Sequence, residues 1–217
     1  MYYKVRSTDT ISKLAKKFAL PENVLSAFNP HVNGSLPGGT LIKIPNLEDI
    51  PKDAAFATGV TTDAIIKKAK SAINKGIRYK LGMGGTNPTA KLPDQNHLCD
   101  CSGFVCWALG LNRKTDIPFY KKFGGWIFTD SMVADINSSA GIFEKLNTPA
   151  VGCIVVYGAG AQIGHVGIVS EVAEGKMKKV IHCSKGNDTT FKDAIQETIP
   201  TVFDRADSFW GKYTEVI

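Results

Sequence analysis

The chain has 217 residues, 43% of them hydrophobic and 21% charged, with 26 basic against 20 acidic side chains and a formal charge of +6. This is ordinary globular composition and excludes a disordered chain; no stretch approaches the ~20 apolar residues of a membrane helix, which excludes a helical span. The positive excess suits an acidic polymer, but the lysines stand in pairs such as Lys67-Lys68 and Lys178-Lys179 rather than in long runs, so nucleic acid is not an expected partner.

Residues 1–46 read as one small unit. Tyr3 and Val5 alternate as in a short strand. Asp9 precedes a stretch with Ile11, Leu14, Ala15 and Phe18 at helical spacing. Pro21 and Glu22 open a second short helix carrying Val24, Leu25 and Phe28, and Asn29-Pro30 ends it. The turn-rich segment 33–39 leads into a last strand, 40–45. The expected order is β-α-α-β. Residues 47–61 mix acidic, small and proline residues without period and read as a linker.

The motifs Tyr3-Lys4-Val5, Asp9-Thr10, Asn29-Pro30 and Leu36-Pro37-Gly38 through Leu41-Ile42-Lys43-Ile44-Pro45 resemble the LysM module, a family that binds N-acetylglucosamine-containing glycans. The resemblance implies a glycan-binding surface that includes Asp9, Thr10, Asn29 and Pro30. One departure is Thr8, where the family usually has glycine.

A second domain spans 62–217. Thr62 is the expected cap of a helix with Ile65, Ala69, Ala72 and Ile73 on one face. Residues 101–109 read as a buried helix closed by Gly110. Strands are expected at 153–157, 166–172 and 179–183, each rich in Val and Ile. A helix followed by a strand meander predicts an α+β domain in which the helix packs on an antiparallel sheet.

The five cysteines are odd in number and all lie from Cys99 onward. A full disulfide framework is therefore not expected, and at least one thiol is free to react. Cys101, in Asp100-Cys101-Ser102-Gly103-Phe104-Val105, falls at the start of the predicted helix. Unpaired N–H groups and the helix dipole there favour a thiolate and can hold an oxyanion. A small core cysteine is the simpler reading of the same pattern. A thiolate also needs a base. His31 lies in the first unit, and His97 in a polar loop. His165 starts an apolar strand between glycines, and His182 stands on the next strand, so one imidazole can act as base while the other orients it. Two hydrogen-bonded sheet histidines without catalysis fit equally. Cys99, Cys101 and Cys106 near His97 form a C-x-C group without a second ligand pair, so no metal is expected.

Taken in order, Tyr79, Gly84-Gly85, the Asp100–Val105 motif, Gly152, Gly164-His165-Val166-Gly167-Ile168 and His182 resemble the NlpC/P60 cysteine peptidases, papain-like enzymes that cleave peptidoglycan stem peptides. The resemblance implies Cys101 as nucleophile, His165 as base and acid, and His182 as orienting residue. It also implies that Tyr79 binds substrate or oxyanion, that Asp100 and Ser102 recognise a free amine, and that no cofactor is needed. The implied activity is a γ-D-glutamyl–diamino acid endopeptidase. An amidase at the sugar–peptide junction, an acyltransferase, or a non-catalytic wall-binding protein are the alternatives. The expected partners are the glycan strand and stem peptide of peptidoglycan. The segment between Gly110 and Pro149, with Phe119-Tyr120 and Phe123-Gly124-Gly125-Trp126, either borders the substrate groove or is a packed insertion. The first residues lack an export pattern. Action at the wall or periplasm is therefore expected to follow lysis, a phage tail or a secretion apparatus, with a delivery protein and, in the last case, an inhibitor protein as further partners.

Overall fold

The computed structural model describes residues 2–18, 20, 22–29, 31–32, 36–45, 61–138, 140–160 and 163–214. Pro21, Pro30, the turn residues 33–35 and the expected linker through residue 60 lie outside them. The chain divides into two compact units that part between residues 59 and 60.

In the first unit, strand β1 (Tyr2–Lys4) pairs antiparallel with β2 (Leu41–Lys43), with Tyr3 opposite Ile42. Helices α1 (Ile11–Lys17) and α2 (Glu22–Ala27) lie between them in sequence. Leu14, Leu25, Ile42 and Ile44 form a small core. The Thr10 hydroxyl caps α1 by accepting from the Lys13 N–H at 3.2 Å, a contact worth about 1 kcal/mol. The order of elements is the expected β-α-α-β.

The second unit begins with α3 (Thr62–Ser71), which buries Ile65 and Ala69. Its cap is Thr61 rather than the expected Thr62: the Thr61 hydroxyl accepts from the Ala64 N–H at 3.1 Å. Strands β3 (Arg78–Tyr79) and β4 (Leu98–Cys99) form a short parallel pair. Helix α4 (Cys101–Ala108) follows directly and is buried at every position. It is apolar nearly all round, and its one hydroxyl, on Ser102, is hydrogen-bonded, so it sits this deeply without stranding a polar group. It ends at Gly110, whose φ of 75° suits a residue without Cβ. A 3-10 turn (Pro118–Phe123) and helix α5 (Thr129–Ile136) come next.

One antiparallel sheet carries the rest, in the order β5-β10-β6-β7-β8-β9. Its strands are β5 (Phe143–Leu146), β6 (Ile154–Tyr157), β7 (His165–Ala173), β8 (Lys176–Cys183), β9 (Ile195–Thr198) and β10 (Phe209–Tyr213), with α6 (Lys185–Phe191) between β8 and β9. The expected meander is thus its centre, β6-β7-β8. Val166, Ile168, Ile181 and Cys183 share a core with Phe104, Val105 and Ala108 of α4, while Val155, Val169, Val180 and Phe203 pack on the other face. Among the described residues no helix is long and apolar enough to cross a membrane.

Candidate active site

Register places the two histidines. Ile168 pairs with Ile181 in the antiparallel β7-β8 ladder, so one residue further along Gly167 stands opposite His182. His165 is then the diagonal neighbour of His182 on the same face, within reach of long side chains. The two rings meet, His165 Nε2 to His182 Nδ1 at 2.8 Å. His182 Nε2 lies 2.9 Å from Thr198 Oγ1. Phe203 stacks on the His165 ring, 5.1 Å between centroids and 9° from parallel, and meets His182 edge to face. Gly167 makes the room: a Cβ there would lie 2.5 Å from Val180 Cγ1 and 3.0 Å from both His182 Cβ and Phe203 Cζ.

Cys101 is the first residue of α4 and only 4% exposed. Its sulfur lies close enough to the backbone N–H groups of Val166 and Ser102 for both to favour its thiolate. Val166 directly follows His165, so the sulfur lies against the start of β7. The His165 ring itself is not one of its hydrogen-bond partners. A cleft of about 480 Å³ opens beside the site, with Tyr79, Tyr157, Gly164, His165, His182 and Lys185 among its walls. The sulfur lies near enough to Tyr79 and Tyr157 to act on both electrostatically.

Burial pushes the Cys101 thiol up to about 12, and the Asp100 carboxylate adds to it; the N–H groups of Val166 and Ser102 and the Arg113 charge oppose it. This corrects the expected helix-terminus thiolate: desolvation outweighs the helix end. Burial, with the His182 ring beside it, holds His165 down to about 3, and burial holds His182 down to about 4. At neutral pH the site therefore holds a neutral thiol and two neutral imidazoles. Burial also pushes the Tyr79 hydroxyl up, so it is a phenol and a donor.

Asp100 and Ser102 do not face a substrate amine, contrary to expectation. Asp100 is 1% exposed. Its carboxylate accepts from the N–H groups of Gly103 at 2.8 Å and Gly82 at 2.6 Å, and from the Ser102 hydroxyl at 3.1 Å. Arg113 closes the group, donating to Asp100 at 2.8 Å, to Ser102 Oγ at 2.8 Å and to the Met83 carbonyl at 3.0 Å. The pair caps α4 and pins the loop before it, which leaves no acceptor for a ligand ammonium. Gly85 and Gly103 belong to the same joint: a Cβ on Gly103 would lie 2.4 Å from the Met83 carbonyl oxygen.

Phe123, Trp126 and Phe128 border a different hollow, with Gly82 and Arg113. The 110–149 segment is packed through Asp135, which accepts from Tyr120 and from the N–H groups of Ile142 and Phe143. His97 is exposed, with Nδ1 on the Lys75 carbonyl. All five cysteines are free and buried.

In the first unit, Asp9, Thr10, Ser12, Glu22 and Leu36 line a shallow groove. Asp9 accepts from the Tyr3 hydroxyl at 3.0 Å and the Arg6 N–H at 2.8 Å. Asn29 is misassigned as a glycan contact. It is 1% exposed; its amide donates to the carbonyls of Leu25 and Lys43 and accepts from the Lys43 N–H, tying α2 to β2. Pro30 lies outside the described residues.

Sequence reasoning missed Arg113, Thr198 and Phe203. Each acts through a partner distant in sequence, so none has a local signal.

Residues 93–187 match the family model of the CHAP domain. Among solved structures, the NlpC/p60 domain of the peptidoglycan hydrolase SagA is similar at 20% identity and a TM-score of 0.39, covering 70% of this chain and 99% of that one. No curated protein matches the chain significantly.

Proposed function

We infer that the second unit is a cysteine hydrolase of peptidoglycan amide bonds, with Cys101 as nucleophile, His165 as base and His182 as its orienting partner. The observation that carries this reading is the His165–His182 contact at 2.8 Å beside a buried Cys101 at the head of α4, whose sulfur lies near the backbone of Val166, the residue after His165. The span matched by the CHAP model, a family of amidases and peptidases, contains all three residues.

The chemistry follows from the neutral resting groups. His165 Nε2 is committed to His182, which leaves Nδ1 to take the thiol proton as the sulfur attacks the amide carbon. The Cys101 N–H at the start of α4 and the Tyr79 hydroxyl are the donors offered to the tetrahedral oxyanion. The C–N bond breaks as His165 Nδ1–H protonates the leaving amine. Water then attacks the thioester, giving up a proton to His165; the acid leaves and the proton returns to sulfur.

The finer reading is an endopeptidase cutting the γ-D-glutamyl–diamino acid bond of the stem. The CHAP match equally favours an amidase at the sugar–peptide junction. The first unit is read as a LysM module with its groove beside Asp9 and Thr10 as the glycan surface, holding the enzyme on its polymer and raising the local substrate concentration. The site of action is then the bacterial wall.

Digestion of purified peptidoglycan, followed by mass spectrometry of the products, tests both levels. New termini inside the stem are expected, and Cys101→Ala should abolish them. Release of whole stems would replace the endopeptidase with the amidase. Equal degradation by Cys101→Ala would sink the hydrolase reading.

A further inference from the structure

Two imidazoles in contact raise a question of proton order. A neutral imidazole has one N–H and one bare nitrogen, and the partner of one nitrogen decides the state of the other. At the His165 Nε2···His182 Nδ1 contact one ring must donate and the other accept. Only a third group can break the tie. His182 Nε2 meets Thr198 Oγ1 at 2.9 Å, and that hydroxyl also lies 3.1 Å from the Ile199 carbonyl, which can only accept. Asn187 reaches the carbonyl of His182 and not its ring.

We propose that Thr198 is a positioning residue that sets the tautomer of both histidines. Its single proton goes to the Ile199 carbonyl, so its oxygen accepts from His182 Nε2–H. His182 Nδ1 is then bare and accepts from His165 Nε2–H. His165 Nδ1 is left bare, as a base for the thiol. Were Thr198 to donate to His182 instead, every proton in the row would shift. His182 would carry Nδ1–H, His165 would carry its proton on Nδ1, and that nitrogen could accept nothing. The same His182 tautomer also serves the protonated state of His165, whose Nε2–H still needs an acceptor.

The sheet builds this row by register. Val180 pairs with Thr198 and His182 with Gln196 in the β8-β9 ladder, so Thr198 is diagonal to His182 as His182 is to His165. Three side chains thus cross β7, β8 and β9 on one face. Phe203, flat on one ring and edge-on to the other, holds both against rotation. The proposal rests on reading His165 as the base and names what prepares it.

The test uses the full chain with 15N-labelled histidine. Long-range proton–nitrogen spectra at pH 7 report each tautomer, and steady-state kinetics on a soluble stem peptide report turnover. The parent should show His165 and His182 both as Nε2–H. In Thr198→Val, an Nδ1–H population of His182 should appear, and kcat should fall about tenfold or more, as for loss of one hydrogen bond next to a developing charge, with KM within about twofold. Thr198→Ser should restore both readouts. Thr198→Ala serves the same comparison if the valine variant does not fold. Parent-like tautomers and kcat without the hydroxyl, or an Nδ1–H form of His182 in the parent, would overturn the proposal. A parent chain that releases no product would remove the hydrolase reading, and the spectra would still decide whether Thr198 sets the proton order.

Discussion

Cys101 and His165 face each other's chemistry as neutral groups, and this shapes the expected pH dependence. A thiolate–imidazolium pair gives a bell whose limbs are the two ionisations. Here burial has moved the thiol up to about 12 and the imidazoles down to about 3 and about 4. The working form, bare His165 Nδ1 beside a thiol, thus persists across the neutral range. For a soluble stem peptide with blocked termini, kcat/KM should be flat from about pH 5 to about pH 9 and fall only below it, where first His182 and then His165 take up protons. A limb near the ordinary histidine value of 6.5 would show that His165 is solvated in the free enzyme. Arg113 belongs to the same scale: its charge compensates a buried carboxylate that would otherwise push the thiol higher still.

Elements fix those residues by close approach of backbone. Gly103 sits in the first turn of α4, and a methyl group there would meet the Met83 carbonyl oxygen at 2.4 Å and Gly84 backbone at 2.8 Å. Both obstacles are main chain and cannot swing away. Gly103→Ala should cost about 1–3 kcal/mol, the usual range for overpacking. Gly186→Ala, in α6 with nothing nearer than 3.8 Å, should be neutral or stabilise by about 0.5–1 kcal/mol. Urea midpoints of the two variants check the contrast; equal midpoints would mean that the 82–85 loop lifts off α4 at little cost. The helix over 101–109 was legible because Phe104, Val105, Trp107, Ala108 and Leu109 form a nearly unbroken apolar run, and β6, β7 and β8 because Val and Ile crowd them. The outer strands were not. Phe-Glu-Lys-Leu of β5 and Ile-Gln-Glu-Thr of β9 are half polar, as edge strands are, and β10 enters between β5 and β6 from far along the chain. Thr198 was illegible for that reason, since only the register of β9 gives it a partner. Asp100 and Ser102 misled because a motif shows which residues accompany the cysteine, and not that Arg113 has already claimed them.

For the whole molecule, the groups that make the site also bound the pH range of stability. His165 and His182 have folded values below the unfolded 6.5. As pH falls through 6.5 the unfolded chain binds protons that the native chain refuses, so stability declines until about 4 and about 3, where the native rings protonate. Asp188 and Glu197, held below their ordinary values beside Arg78 and Lys70, lose their contribution on the same acid side. The buried thiols act at the other end. Cys101 and Cys153 are raised to about 12 and about 11 from an ordinary 9.0; above pH 9 the unfolded chain releases protons that the native chain keeps, and stability falls again. The second unit should therefore be most stable on a plateau from about pH 6.5 to 9. Tryptophan fluorescence isolates it, because Trp107, Trp126 and Trp210 are the chain's three tryptophans and all lie within 60–216. Urea midpoints followed by that signal should drop from pH 7.5 to pH 5 and again from pH 9 to pH 10.5, and a midpoint unchanged at pH 5 would mean that the two imidazoles are not desolvated in the folded state.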